Sequence, residues 1–475
     1  MIRVRKSMAV LPALALAACN LAPKYVRPEA PVAPVLPQGA AYPVLSQGDT
    51  TVDALGWRSF FTDARLQQVI ATALAGNRDL RIAVANVERA RALYRIERAA
   101  LIPAIGATGT ASETRGSAGR VTDNFTVQAG VSAYEIDLFG RLRNQSASAL
   151  QSYLATDEGR KSTQIALIAE TASAWLTYAA TADALRIAEE TLVSRRETLV
   201  LNTRREANGI GTRLDVASAT TAVNSAEADV ADFRTSLAQA RNALELLAGG
   251  ALPDDLLPIT LASGDHLRAS LPVGLSSAVL LRRPDVLAAE HDLRATYADI
   301  GAARAAFFPT ISLTGLLGFV SSGLGALFDG DSFQKSVSGS ARQTIFDGGA
   351  TASNLKAAKA ARDAALAAYE RAIQSAFREV ADALARRGTI DDKVAAQASL
   401  ESNAAIAYRL TQARFDAGIA NYLEPLDAQR TLYTARQALV SARLAKAANM
   451  VELYRALGGG LNDEETQAAE IPRSK

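Results

Sequence analysis

Arg205-Glu206-Ala207-Asn208-Gly209-Ile210-Gly211-Thr212-Arg213-Leu214-Asp215 returns later in the chain as Arg414-Phe415-Asp416-Ala417-Gly418-Ile419-Ala420-Asn421-Tyr422-Leu423-Glu424. The two copies align without a gap. Arg234 falls on Arg443, Leu244 on Leu453, and Gly249-Gly250 on Gly458-Gly459. In each copy a long helical stretch breaks at a glycine, turns, and restarts as a second helix that ends in a glycine pair. Internal repetition of this kind decides the architecture before any local reading does.

Upstream of each turn the same order recurs. Asn77–Leu101 reads as a helix stopped by Pro103, and Arg283–Phe308 as its counterpart stopped by Pro309, because proline disfavours helical geometry in the residue before it. The period then changes from helical to alternating. Phe125, Val127, Ala129, Val131 and Ala133 alternate with polar or small residues, as do Ile311, Leu313, Gly315, Leu317 and Phe319. The first repeat is read over residues 57–262, with strands at about 104–115 and 122–138. The second covers 263–460, with strands at about 309–320 and 333–346. After the strands the chain re-enters helix. Lys161–Asn208 lacks glycine and proline, and at 1.5 Å per residue would reach ~70 Å. Such a length implies a coiled-coil-like assembly. The fold class is therefore mainly α with a small β part in two structural repeats.

Each strand has about the length of a membrane-spanning β-strand, ~9–11 residues, with one apolar face. The same alternation would also serve a soluble sandwich. If the strands do cross a bilayer, one chain cannot suffice. Lipid tolerates no open sheet edge, the smallest usual membrane barrel has about eight strands, and one chain offers four. Several copies must then share a barrel, with the helices continuing the tube outside the lipid.

The N-terminus fits this setting. Arg3, Arg5 and Lys6 precede a short apolar run that ends in Leu16-Ala17-Ala18-Cys19. Residues 1–18 read as a lipoprotein signal peptide, and Cys19, the only cysteine, as the lipidated first residue of the mature chain. Residues 19–56 are the lipid anchor and a proline-rich linker, extended and semi-rigid. Residues 461–475 read as a disordered tail. The 51 basic and 49 acidic residues nearly cancel, which gives no reason to propose a nucleic-acid partner. His266 and His291 sit in no metal-ligand spacing. Asp292 beside His291 has no nucleophile with it, so neither a catalytic residue, a metal site nor a cofactor is assigned.

The chain resembles the TolC/OprM/NodT-type outer-membrane efflux proteins of Gram-negative bacteria. The resemblance rests on the Cys19 motif with the following Pro23-Lys24-Tyr25-Val26-Arg27-Pro28, on Leu281-Arg282-Arg283-Pro284-Asp285-Val286, and on Phe415…Gly418…Tyr422-Leu423…Leu426-Asp427-Ala428-Gln429-Arg430. It implies a trimer with a twelve-stranded β-barrel continued by a long periplasmic α-helical barrel. It also implies a role as exit duct of a tripartite pump, in the outer membrane and anchored in its lipid. The implied partners are a periplasmic adaptor and an inner-membrane resistance-nodulation-division (RND) transporter. The tip where the adaptor docks would include Gly209, Arg213, Asp215 and Gly418. Leu423 and Asp427, four apart and so on one helical face, would be the inward-facing gate, with Tyr422 and Arg430 holding the tip shut. A first-turn carboxylate offsetting the helix dipole is the plainer role for Asp427. Pro425 departs from the family pattern, and proline is tolerated in a helix's first turn. A type I secretion duct and a lipid-anchored coiled coil without a pore are the alternatives.

Overall fold

The computed structural model describes residues 20–45, 52, 55–117, 119–261, 266–268, 270–271, 273–274 and 276–459. Cys19, the signal segment and the 461–475 tail lie outside the described residues. The elements are α1 (Trp57–Phe60), α2 (Ala64–Gly76), α3 (Arg78–Ala99), β1 (Ile105–Arg115), β2 (Val121–Ile136), α4 (Arg141–Ala207) and α5 (Arg213–Ala248), then α6 (Pro284–Ala305), β3 (Thr310–Ser321), β4 (Phe333–Arg342), α7 (Ala350–Asp416) and α8 (Leu423–Ala456), with short 3-10 turns between some of them. The order α3-β1-β2-α4-α5 recurs as α6-β3-β4-α7-α8, and α4 and α7 each run 67 residues. Pro284 opens α6 at the first helical position, where its missing N–H costs nothing.

The chain divides into two compact units, and each draws on both copies of the repeat. The first gathers Val84–Glu158, Leu287–Arg371 and the described residues up to Glu29. Its sheet runs β1-β2-β3-β4, antiparallel throughout. The ladder between β3 and β4 ends at Thr310 opposite Arg342, so β4 stops short of residue 346. The reason is local. Pro309 has no N–H to offer β4 beyond Thr310, and Gly348 and Gly349 take positive φ in the turn that leads to α7. Similarly, the β1–β2 connection shrinks to residues 116–120. A bulge falls between Val131 and Tyr134, where Ala133 adopts φ 54° and donates its N–H to Thr314 Oγ1 at 3.0 Å. Every residue of β1 and β4 is exposed, so neither edge strand is covered by this chain.

In the same unit the described residues before Glu29, 20–28, have no regular secondary structure, yet they are tied to one stripe of α6. Glu290, buried, accepts from the Tyr25 hydroxyl at 3.0 Å and from Arg27 Nε at 3.1 Å, and Arg294 also donates to it. Burial pushes the Glu290 carboxyl up, but these donors outweigh it and hold the group below its usual range. Farther along the stripe the Tyr25 ring meets Tyr297 edge-on, and Arg304 donates to the Leu21 carbonyl at 2.9 Å.

The second unit gathers the described residues of Ala30–Ala83, Gly159–Val286 and Ala372–Lys475. Leu66, Val69, Ile70 and Ala73 of α2 bury one face, and Ile165, Ile168, Ala172, Trp175 and Ala179 do the same on α4. Trp175 satisfies its indole N–H on the Leu256 carbonyl at 3.0 Å. Arg283 of the Arg-Pro-Asp motif is buried and donates to Asp285, to Glu379 and to the Ala456 carbonyl at the end of α8. Burial opposes its charge, and the two carboxylates more than offset that. Among the described residues no helix is long and apolar enough to cross a membrane.

Candidate functional site at the two helix turns

Both turns lie in the second unit and begin alike. Gly209 takes φ +72° and Gly418 φ +74°, the left-handed conformation that glycine enters without a Cβ penalty. Gly209 N–H donates to Glu206 O and Ile210 N–H to Arg205 O. In the second copy Gly418 N–H donates to Phe415 O and Ile419 N–H to Arg414 O. These paired bonds are the Schellman closure, which satisfies the last carbonyls of α4 and α7. Each turn then presents the same two apolar side chains to solvent, Ile210 (68% exposed) and Leu214 (66%) in one, Ile419 (72%) and Leu423 (53%) in the other.

The restarts differ. In the first copy Thr212 caps α5. Its hydroxyl accepts from Asp215 N–H at 3.1 Å, and the Asp215 carboxylate accepts from Thr212 N–H at 3.0 Å, a reciprocal capping box. Val216 N–H donates the first α-type helical bond, to the Thr212 carbonyl. The aligned residue in the second copy is Pro425, which has no N–H. The first helical bond there runs instead from Leu426 N–H to the Tyr422 carbonyl, so α8 starts one residue late. No side chain of its N-cap residue, Tyr422, caps it, and Asn421 Oδ1 accepts from Leu423 N–H at 3.1 Å.

The late start accompanies a different use of side chains. Arg213 is exposed, whereas the aligned Tyr422 is buried. Tyr422 packs with Phe415, Leu426 and the Ala219–Ala222 face of α5, its ring 5.8 Å from that of Phe415. Burial pushes the Tyr422 phenol up. Arg205 lies over the Phe415 ring at 4.7 Å. Leu423 and Asp427 share the exposed face of α8, and Arg430 is exposed as well. The residues read from the sequence as the gate thus separate. Leu423, Asp427 and Arg430 are at the surface, and Tyr422 is in the packing beneath. Asp215 is committed to its cap. The first-turn acid of α8 is Glu424 rather than Asp427, and it pairs with Arg414 at 3.1 Å.

Sequence reading passed over Glu424, which lines an open cleft of about 350 Å³ together with Asp427, Ala404, Ala407 and Thr431. It also passed over Gln429. That residue is 8% exposed, and it interrupts the apolar stripe Tyr422, Leu426, Tyr433 at helical spacing. A polar residue on an apolar stripe was the available signal. Arg195 of α4 is likewise buried and donates to the Ala222 carbonyl at 2.9 Å. Burial pulls its guanidinium down, opposed by Asp229. Among the described residues no cluster of His, Cys, Asp or Glu could hold a metal ion. What this region offers is exposed apolar turns, a cleft lined by Glu424 and Asp427, and a helix with distinct front and back.

Comparison with known proteins bears on the whole chain. The profile of a family described as "Outer membrane efflux protein" matches residues 69–250 and 275–459. Two proteins of Pseudomonas putida, the antibiotic efflux pump outer membrane protein ArpC and the toluene efflux pump outer membrane protein TtgC, are each 43% identical over 468 residues, covering 96% of this chain and 96% of theirs. The crystal structure of the open state of the MtrE outer membrane channel of Neisseria gonorrhoeae superposes with a TM-score of 0.86 at 40% identity, covering 94% of this chain and 99% of that one.

Proposed function

The chain belongs to the outer membrane efflux protein family, and on that premise we propose how it works. It is the outer-membrane channel of an efflux pump, the exit path for small toxic compounds of the kind the relatives' names record, antibiotics and toluene. Three copies close one twelve-stranded barrel in the outer membrane. The helices of the three extend into the periplasm as an α-barrel. Cys19 carries the lipid that holds each copy to the membrane. The turns at Gly209 and Gly418, with Arg213 nearby, meet a periplasmic adaptor, which couples the duct to an RND transporter of the inner membrane. Leu423 and Asp427 face the axis and form the constriction, with Tyr422 and Arg430 supporting it. Three Asp427 carboxylates around an axis would favour cations.

The observation that carries the shared barrel is the sheet itself. Its four strands leave β1 and β4 as edges, both exposed along their whole length. Unpaired backbone groups cost several kcal/mol each in hydrocarbon, so another chain must pair with each edge. The matched Ile and Leu side chains on the two turns support docking there. The test is the native mass of the full-length protein extracted from outer membranes in mild detergent. A trimer is the expected result. A stable monomer would sink the shared barrel, because four strands cannot close one.

A further inference from the structure

Gln429 of α8 is buried, and its carboxamide does not serve its own helix. Nε2 donates to Ser194 Oγ of α4 at 3.1 Å and to the Tyr408 hydroxyl of α7 at 3.3 Å, and these two hydroxyls are themselves 3.3 Å apart. One side chain therefore ties three helices at a single point. The aligned residue of the first copy, Thr220, is exposed and bonds only back to Val216 of its own helix. Buried polar groups of this kind are costly when left unpaired and fix geometry when paired.

Position gives the tie its meaning. At about 100° per residue, Gln429 stands roughly opposite Asp427 and well away from Leu423. It holds the back of the helix whose exposed front carries those two residues. Nearer the turn, the back of α8 is held to α5 by apolar contacts of Tyr422 and Leu426, and the Glu424–Arg414 pair beside them joins two solvent-exposed side chains, so neither is a buried directional bond. The first turn of α8 carries no capping side chain from its N-cap residue that would fix its orientation independently.

We propose that Gln429 is a positioning residue for the channel. Its bonds to Ser194 and Tyr408 set the rotation of α8 and so how far Leu423 and Asp427 project. This rests on the constriction reading given above. Gln429→Met keeps the volume and removes the donor. Tyr408→Phe removes one oxygen and keeps the ring.

The experiment is single-channel recording of the purified wild-type and variant oligomers in planar lipid bilayers, with thermal melting alongside. Gln429→Met should raise open probability about tenfold, the factor carried by one to two buried neutral hydrogen bonds. Tyr408→Phe should raise it less, and the double variant should match Gln429→Met alone, because the two side chains act as one unit. Gln429→Glu, whose carboxylate accepts from both hydroxyls, should restore the resting behaviour without a matching change in melting. Strictly additive effects, or wild-type recordings from Gln429→Met while Asp427→Ala alters conductance, would overturn the positioning role and leave the constriction standing. Wild-type recordings from Asp427→Ala as well would overturn both. If Gln429→Met fails to assemble, Tyr408→Phe decides by the same criterion.

Discussion

The turns after α4 and after α7 share a backbone and divide the work of side chains. Both close with a left-handed glycine and the same pair of bonds, and both expose an isoleucine and a leucine. Beyond that they part. The first turn spends Thr212 and Asp215 on each other, so α5 is capped from within. The second places Pro425 where the first has the donor Val216, starts its helix a residue late, and turns Tyr422 inward. The aligned pairs make the trade explicit. Glu206 and Arg213, exposed in the first copy, correspond to Phe415 and Tyr422, buried in the second. The first turn is held by local hydrogen bonds, and the second by packing against other helices. An element held by packing and by polar ties to other helices can be rotated by changing its neighbours, whereas one held by its own cap keeps its start whatever its neighbours do.

The largest effect should come from removing that packing. Tyr422→Ala deletes a side chain only 4% exposed, and losses of large buried aromatics run to about 3–5 kcal/mol. Arg213→Ala, at the aligned exposed position, should stay within about 0.5 kcal/mol. Amide hydrogen exchange over residues 415–430 and 206–221 reads both locally. Protection should fall at least a hundredfold in the first region for Tyr422→Ala and stay unchanged in the second for Arg213→Ala. Equal effects would mean that the copies are held in the same way after all.

Much of this was legible in the sequence, for identifiable reasons. The glycines at 209, 249, 418 and 458 marked helix ends because a left-handed residue tolerates few alternatives, and all four take positive φ. Pro103 and Pro309 marked the passage from helix to strand, since their effect on geometry is local. The exposure of β1 and β4 was not legible, because alternation shows that two faces differ without showing what covers either. The gate residues were read from a motif on one helix, and a motif does not tell front from back. Tyr422 falls inward because the late start of α8 and the facing Ala219 and Ala222 leave room for a ring, a fact about another helix. Gln429 was missed for the same reason. Its partners, Ser194 and Tyr408, stand 235 and 21 residues away.

What the two turns share can be broken equally. A Cβ at Gly209 or Gly418 meets nothing within 4 Å, so the cost of alanine there is conformational alone. That cost is about 1–2 kcal/mol for a residue held in the left-handed region. Gly209→Ala and Gly418→Ala should therefore lower local protection by similar factors, about five- to thirtyfold, in the amides of each turn. Unequal losses would show that one closure is already strained or already frayed, and the common backbone would cease to be the right frame for the comparison.

The smallest effect tests the caps. Thr212→Ala removes the hydroxyl that accepts from Asp215 N–H, and loss of such a cap costs about 1 kcal/mol. The first-turn amides of α5 should then exchange about five times faster. Asn421→Ala removes the acceptor of Leu423 N–H, but α8 is anchored through Tyr422 and Leu426, whose contacts do not pass through that bond. Its amides should change less than those of α5. A larger effect for Asn421→Ala would reverse the assignment, because it would make the second turn the one that depends on its own hydrogen bonds. The order of these two small numbers therefore discriminates more than the size of either. Packing and capping can both hold a helix start, and the one held mainly by packing leaves its rotation to be set from outside.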